Sequence, residues 1–267
     1  MKLMFSVLQV TLLAVFLGLT PMARADEPDP AAKPRDLGPP LVDNLKNLKP
    51  LGKYSAWLDP KNKQVVLLGE ACKADYPLEF FITTKARAYE SVLVVDGERR
   101  EGQSSVFQQV QLALILCGAK PGHPAYYRDD NTTLATGDEI EIEVRWKNQE
   151  AKTERVDARA MIRDVRTKKS PLKTWVFAGS RFADDGEGGK RFMADGGEFV
   201  CVLNNPIAML DLPVVSAGAI EDRSFEANPD KLPPPGTPVT IVLTPKVPPK
   251  ALKAGDAEKH PIETEKK

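Results

Sequence analysis

The chain has 267 residues, with 37 basic and 37 acidic side chains, two histidines and three cysteines, so its formal charge is zero. That balance argues against nucleic acid, whose partners carry basic surfaces that displace counterions. It gives no reason to expect attraction to an acidic membrane surface either.

Lys2, the apolar run Leu12–Leu19 and the small residues Ala23-Arg24-Ala25 follow one another in the order of a secretory signal peptide. The apolar core is short for a membrane span, so cleavage after Ala25 is expected, with no stable membrane span afterwards. No cysteine stands near that site to be acylated. Losing Lys2 and Arg24 leaves 35 basic against 37 acidic residues, a mature charge of −2. The chain is therefore expected to be exported, to the periplasm or beyond the cell.

Residues 26–45 are charged, rich in proline and poor in large apolar groups, and are expected to form a disordered leader. Residues 247–267 have the same character and are expected to form a disordered tail. Between them, 46–246 supplies enough apolar sequence for one globular domain. Val65–Leu68, Leu78–Ile82 and Val92–Val95 are short β-type runs. Ser105 and Gln108 have capping-box spacing and open a helix. Its apolar stripe (Val106, Val110, Ala113 and Cys117, with Phe107 and Leu114 beside it) predicts burial against a sheet, and Gly118 ends it. Asp138–Trp146 alternates apolar and charged residues, the signature of a half-buried strand. Val156, Ala158, Ala160 and Ile162 repeat the pattern and predict a hairpin. Trp175–Ala178, Phe199–Leu203 and Val239–Leu243 complete the strands, with a helical turn expected near Ile207–Leu210. The expected fold class is α+β, mainly an antiparallel β-sheet with one main packed helix.

Few residues announce chemistry. Two histidines, one of them His260 in the tail, are too few for a histidine-rich zinc site, and no HExxH, CxxC, P-loop or GxSxG is present. The glycines of 186–189 lie in a charged loop and read as a turn before another strand. His123 stands in the stiff turn Ala119–Pro124, either as a ligand or base, or as a ring that bonds nearby backbone. Glu79, Glu90 and Asp211 are acids in apolar surroundings, which must find partners or shift their pKa. Asn204 and Asn205 before Pro206 favour a turn. Trp57, Trp146, Trp175, Phe177 and Phe182 offer either a stacking platform for a sugar or core packing. Cys72, Cys117 and Cys201 could pair in three ways with one thiol left over, or stay as buried apolar groups.

Several of these segments together resemble the YdjY-domain family of exported bacterial proteins. They are Leu78–Phe80, Lys85–Val95 (KARAYESVLVV), Leu112–Pro124 (LALILCGAKPGHP), Glu143–Trp146, Trp175–Phe182 (WVFAGSRF), Cys201–Pro213 (CVLNNPIAMLDLP) and Pro235–Leu243. The likeness runs from about residue 48 to 246. It implies no activity and carries over no catalytic residue. Some members hold closely spaced cysteines near the position of Cys201–Pro213 and look ferredoxin-like. This chain has Cys201 alone there, and an iron–sulfur cluster takes about four thiolates, so neither that cluster nor another cofactor is expected. The first expectation is a non-enzymatic envelope module that binds a partner protein or a small ligand. The alternatives are a metal-dependent or acid–base enzyme around His123 and Asp211, and a thiol redox protein.

Overall fold

The computed structural model describes residues 35–97, 104–128, 131–186, 188–216 and 224–246. The expected signal segment, the first part of the expected leader and the expected tail lie outside the described residues. Eight segments form the main strands. They are β1 (Gln64–Ala71), β2 (Phe80–Thr84), β3 (Ser91–Val95), β4 (Glu139–Lys147), β5 (Trp175–Phe177), β6 (Val200–Cys201), β7 (Leu210–Asp211) and β8 (Pro238–Pro245). The helix α1 spans Val106–Leu116.

The strands join in the order β1, β8, β4, β5, β7, β6, β2, β3, and β3 pairs back with β1 through Gly69↔Val95, Glu70↔Val94 and Ala71↔Leu93. The sheet is thus a closed eight-stranded barrel. This corrects the expected α+β class: the described residues are mostly β, and α1 is the one helix among them of seven residues or more. The physical reason lies in β1. It pairs on one edge with β8 over six residue pairs and on the other with β3, so no free edge remains for an open sheet.

All neighbours in the barrel run antiparallel except two pairs, β2–β3 and β6–β7. Both parallel pairs are joined by very short crossovers. A six-residue 3-10 segment, Lys85–Glu90, links β2 to β3, and residues 202–209 link β6 to β7. Parallel neighbours ordinarily need a dozen or more connecting residues. Because β6 pairs with β2, the two crossovers belong to adjoining pairs of the same sheet.

The barrel interior is filled by side chains. Leu67, Phe81, Leu93, Ile140, Val144, Trp175, Phe177, Leu210 and Ile241 belong to one buried cluster, with the Phe81 and Trp175 rings 5.1 Å apart. Small barrels either pack their interiors in this way or hold a ligand there. Val106, Phe107, Val110, Ala113 and Leu114 of α1 join the same cluster. The Ser105 hydroxyl accepts from the Gln108 amide at 3.2 Å, so the helix start reads as its sequence implies. All six residues of the expected stripe are buried, Cys117 included, while Leu112, Ile115 and Leu116 outside it are exposed.

Two further expectations are refined. The second arm of the hairpin is Thr153–Asp157, with Val156 opposite Val144, but Ala158–Met161 then turns as a 3-10 segment and Ile162–Asp164 leaves to pair with Phe225–Ala227. No helical turn forms at Ile207–Leu210. The Asn205 side chain accepts from the Ile207 amide at 3.0 Å and its carbonyl accepts from the Ala208 amide at 3.2 Å, so Asn205-Pro206 closes a turn and Leu210 enters the barrel as a strand residue. The charged loop of 186–189 does join two strands, Phe182–Asp184 and Lys190–Phe192, into a ribbon.

The barrel seam makes one testable demand. A Cβ on Gly69 would stand 2.5 Å from the Val94 carbonyl oxygen, which is backbone and cannot swing away. Gly69→Ala is expected to push β1 off β3 and destabilise the fold by about 1–3 kcal/mol, read as a lower denaturant midpoint. An unchanged midpoint would mean that the two strands do not close the barrel.

Candidate functional site

The outer face of the barrel between β5 and β2 carries a row of side chains. Register places Val176 beside Asp211, Asp211 beside Cys201, and Cys201 beside Phe80. Asp211 and Cys201 are fully buried although they face away from the barrel interior. The loops around them supply the cover.

Asp211 is the most unusual group. One carboxylate oxygen, Oδ2, accepts from the Asn205 amide at 3.3 Å, while the buried Oδ1 has no hydrogen-bond partner. Burial pushes its pKa up to about 7, against the opposing pull of the Asn205, Leu212 and Ala125 amides and the Asn204 side chain. Asn204 itself is tied down. Its amide donates to Ser216 Oγ at 2.8 Å, its Oδ1 accepts from the Ser216 amide at 3.0 Å, and its Nδ2 donates to the Leu212 carbonyl at 3.2 Å. Tyr127 donates from its hydroxyl to the Asn204 carbonyl at 2.7 Å, and burial raises its pKa, with the charge of Asp211 adding to the effect.

The His123 turn is sewn to the same region. The Gly122 amide donates to the Phe177 carbonyl at 2.9 Å, the Thr136 amide to the His123 carbonyl at 2.9 Å, and the Lys120 amide to Asp138 Oδ2 at 2.9 Å. Gly137 lies opposite, with φ at +136°, and a Cβ there would stand 2.0 Å from the Phe177 carbonyl. Only glycine fits that approach. The His123 ring lies 2.9 Å through Nδ1 from the Pro124 carbonyl and its centroid 5.6 Å from that of Tyr126. A carbonyl only accepts, so Nδ1 is the donor of this contact and Nε2 is the ring nitrogen left for another partner. His123, Tyr126, Ser180, Arg181, Pro206 and Ile207 border a cavity of about 250 Å³. The Ser180 backbone is clamped by Gln111, which accepts from its amide at 2.7 Å and donates to its carbonyl at 3.0 Å.

The sequence candidates therefore divide. His123, Asn204 and Asp211 come into one neighbourhood. Glu79 lies one step along the sheet, paired at 2.9 Å with Arg87, which also holds Glu198 at 2.6 Å and sits 4.4 Å over the Phe80 ring. Glu90 ends the crossover that carries Arg87, is buried, and accepts through its carbonyl from the Glu79 amide at 3.1 Å. Arg87, Glu198 and Tyr127 were missed. The only local signal was a charged residue within KARAYESVLVV, because Arg87 and Glu198 are 111 positions apart. Of the aromatics, Trp146, Trp175 and Phe177 are buried, and Trp175 donates from Nε1 to the Cys201 carbonyl at 2.8 Å. Phe182 is exposed and rests on Phe192, 5.4 Å away.

All three cysteines are free and buried. Burial lifts Cys72 to about 12 and Cys117 to about 11, with Glu70 and Asp59 adding to the rise, and lifts Cys201 well above the usual thiol range, with Asp211 and Glu198 adding to it. Thiols held protonated in this way are poor nucleophiles. Among the described residues, no three His, Cys, Asp or Glu side chains come together as a metal site, and no helix is long and apolar enough to cross a membrane.

Comparison with known families matches residues 57–244 to the YdjY domain. The chain belongs to the YdjY-domain family. The matched span begins in the strand Ala56–Asp59 and ends in β8, so the YdjY domain here takes in the whole closed barrel, α1, both short crossovers and the His123 turn. Neither curated proteins nor solved structures give a match.

Proposed function

We propose that this YdjY-domain protein is an exported, non-enzymatic binding module that holds a small ligand on the outside of its barrel, in the cavity beside His123. One observation carries the reading: the barrel interior is packed solid, while the outer cavity of about 250 Å³ is built on a turn fixed by strand and side-chain hydrogen bonds. Sites of this kind pair an apolar floor with a few placed polar groups. Pro206 and Ile207 supply apolar surface, and His123 Nε2, Ser180 and the Arg181 guanidinium supply the polar groups. Ser180 Oγ already accepts from the Ala194 amide at 3.0 Å, which leaves its proton for a ligand. The acid–base reading needs a partner that would activate the imidazole. His123 Nδ1 faces the Pro124 carbonyl instead, and Asp211 is engaged by backbone amides.

Native mass spectrometry of the protein from its own envelope fraction tests this. The expected species begins at Asp26 and carries a bound small molecule that His123→Ala and Arg181→Ala release. A chain that keeps Met1–Ala25 would sink the export reading. A bare mature mass, with no envelope extract able to raise its melting temperature, would sink the binding reading.

A further inference from the structure

A second cavity, of about 310 Å³, opens on the other side of Ile207, between the ribbon strand Lys190–Phe192, the 3-10 turn Met193–Gly196 and Glu198. Its chemistry differs from that of the His123 cavity. Glu198 is only 8% exposed, and its Oε1 accepts from Arg87 at 2.6 Å. Its Oε2 is buried and has no hydrogen-bond partner. A buried carboxylate oxygen without a donor is costly, and the Arg87 contacts end on Glu198 Oε1 and on Glu79 rather than on this oxygen. The tip lies close to exposed Gly196, where a Cβ would stand 2.6 Å from Oε2, so no side chain is accommodated at that position. Asp195, whose carboxylate accepts from the Ser105 hydroxyl, lines the same cavity.

The remaining walls are of two kinds. Phe192, Met193 and Ile207 are apolar. Arg191 is exposed at the rim and makes no ion pair among the described residues. The cavity therefore offers carboxylates to a cation, a guanidinium to an anion, and apolar surface between them. Its volume is at the small end of ligand sites, which run about 300–1,000 Å³.

We propose that this cavity binds a small zwitterion, an α-amino acid with an apolar side chain, with its ammonium on Glu198 Oε2 and Asp195 and its carboxylate on Arg191. The apolar side chain lies against Met193 and Ile207. The ammonium supplies the donor that the Glu198 oxygen lacks, and both charged ends gain charge-assisted hydrogen bonds. The proposal does not rest on the His123 cavity.

Titration calorimetry on the protein as it accumulates in the cell tests it with three probes: leucine, leucinamide and N-acetylleucine. Leucine is expected to bind. Acetylation removes the ammonium and is expected to weaken binding by about tenfold or more, and amidation removes the carboxylate with a loss of about tenfold. Glu198→Gln keeps the shape of the side chain and is expected to weaken leucine and leucinamide alike. Arg191→Ala, a surface change that leaves the fold intact, is expected to weaken leucine but not leucinamide. His123→Ala and Arg181→Ala are expected to leave leucine binding unchanged, which separates this site from the first. Equal binding of leucine and N-acetylleucine would overturn the proposal. So would failure of all three probes to bind at millimolar concentration, or an equal loss of leucine and leucinamide in Arg191→Ala.

Discussion

Melting temperatures of the protein are expected to fall as pH rises from about 4 to about 7, and to level off above that, because of one carboxyl group, Asp211. Its pKa rises from the ordinary 3.8 to about 7 in the fold, driven by burial. Between those values the native state holds a proton that the unfolded chain has given up. Stability therefore belongs to the protonated form and is lost as pH climbs toward the folded value. A difference of about 3 pH units, at about 1.4 kcal/mol each, sets a scale of about 4 kcal/mol for the loss. Asp211→Asn has no proton to release, so its melting curve is expected to be flatter across the same window and to match or exceed the wild type at about pH 8. A wild-type midpoint that is flat over the window, or an Asn variant that keeps the same slope, would show that Asp211 is ionised and satisfied in the fold.

The second large effect is expected at Trp175. It is among the largest fully buried side chains and packs against Phe81 at the centre of the barrel. Truncation to alanine removes that volume, at about 3–5 kcal/mol. It also leaves the Cys201 carbonyl without the indole donor, which costs about 1–3 kcal/mol more. Domains are typically stable by about 5–15 kcal/mol, so Trp175→Ala is expected to be largely unfolded or to melt far below the wild type. Trp175→Phe keeps most of the packing and loses the hydrogen bond, so its midpoint is expected to fall between the two. A Trp175→Ala variant that melts within about 2 °C of the wild type would contradict a barrel packed around this residue.

What was legible in the sequence follows the range over which each signal acts. The alternation of Ile140, Ile142, Val144 and Trp146 with charged residues is local, and β4 appears where it should. The Ser105 cap is local too, and α1 begins there. Barrel closure depends on β1 meeting both β3 and β8, which lie at very different distances along the chain and share no local mark. Strands β6 and β7 are two residues each, too short for any periodicity. The IAML run at Ile207–Leu210 looks the same as a helical turn or as the approach to a strand, and the Asn205 side chain decides between them. At the candidate site, Asp211 stood out because an acid among apolar neighbours is visible in sequence. Glu198 did not, because what distinguishes it is a single oxygen left unpaired beside an arginine 111 positions away in the chain.

The order of the strands also governs when this protein can finish folding. Strand β8, the last strand among the described residues, lies between β1 and β4 and pairs with both. Until it has been made, those two partners keep open edges and the interior stays wet, however complete the rest of the chain is. Contacts this distant in sequence form slowly. The rest of the barrel can therefore collapse, but it cannot close until β8 has joined β1 and β4.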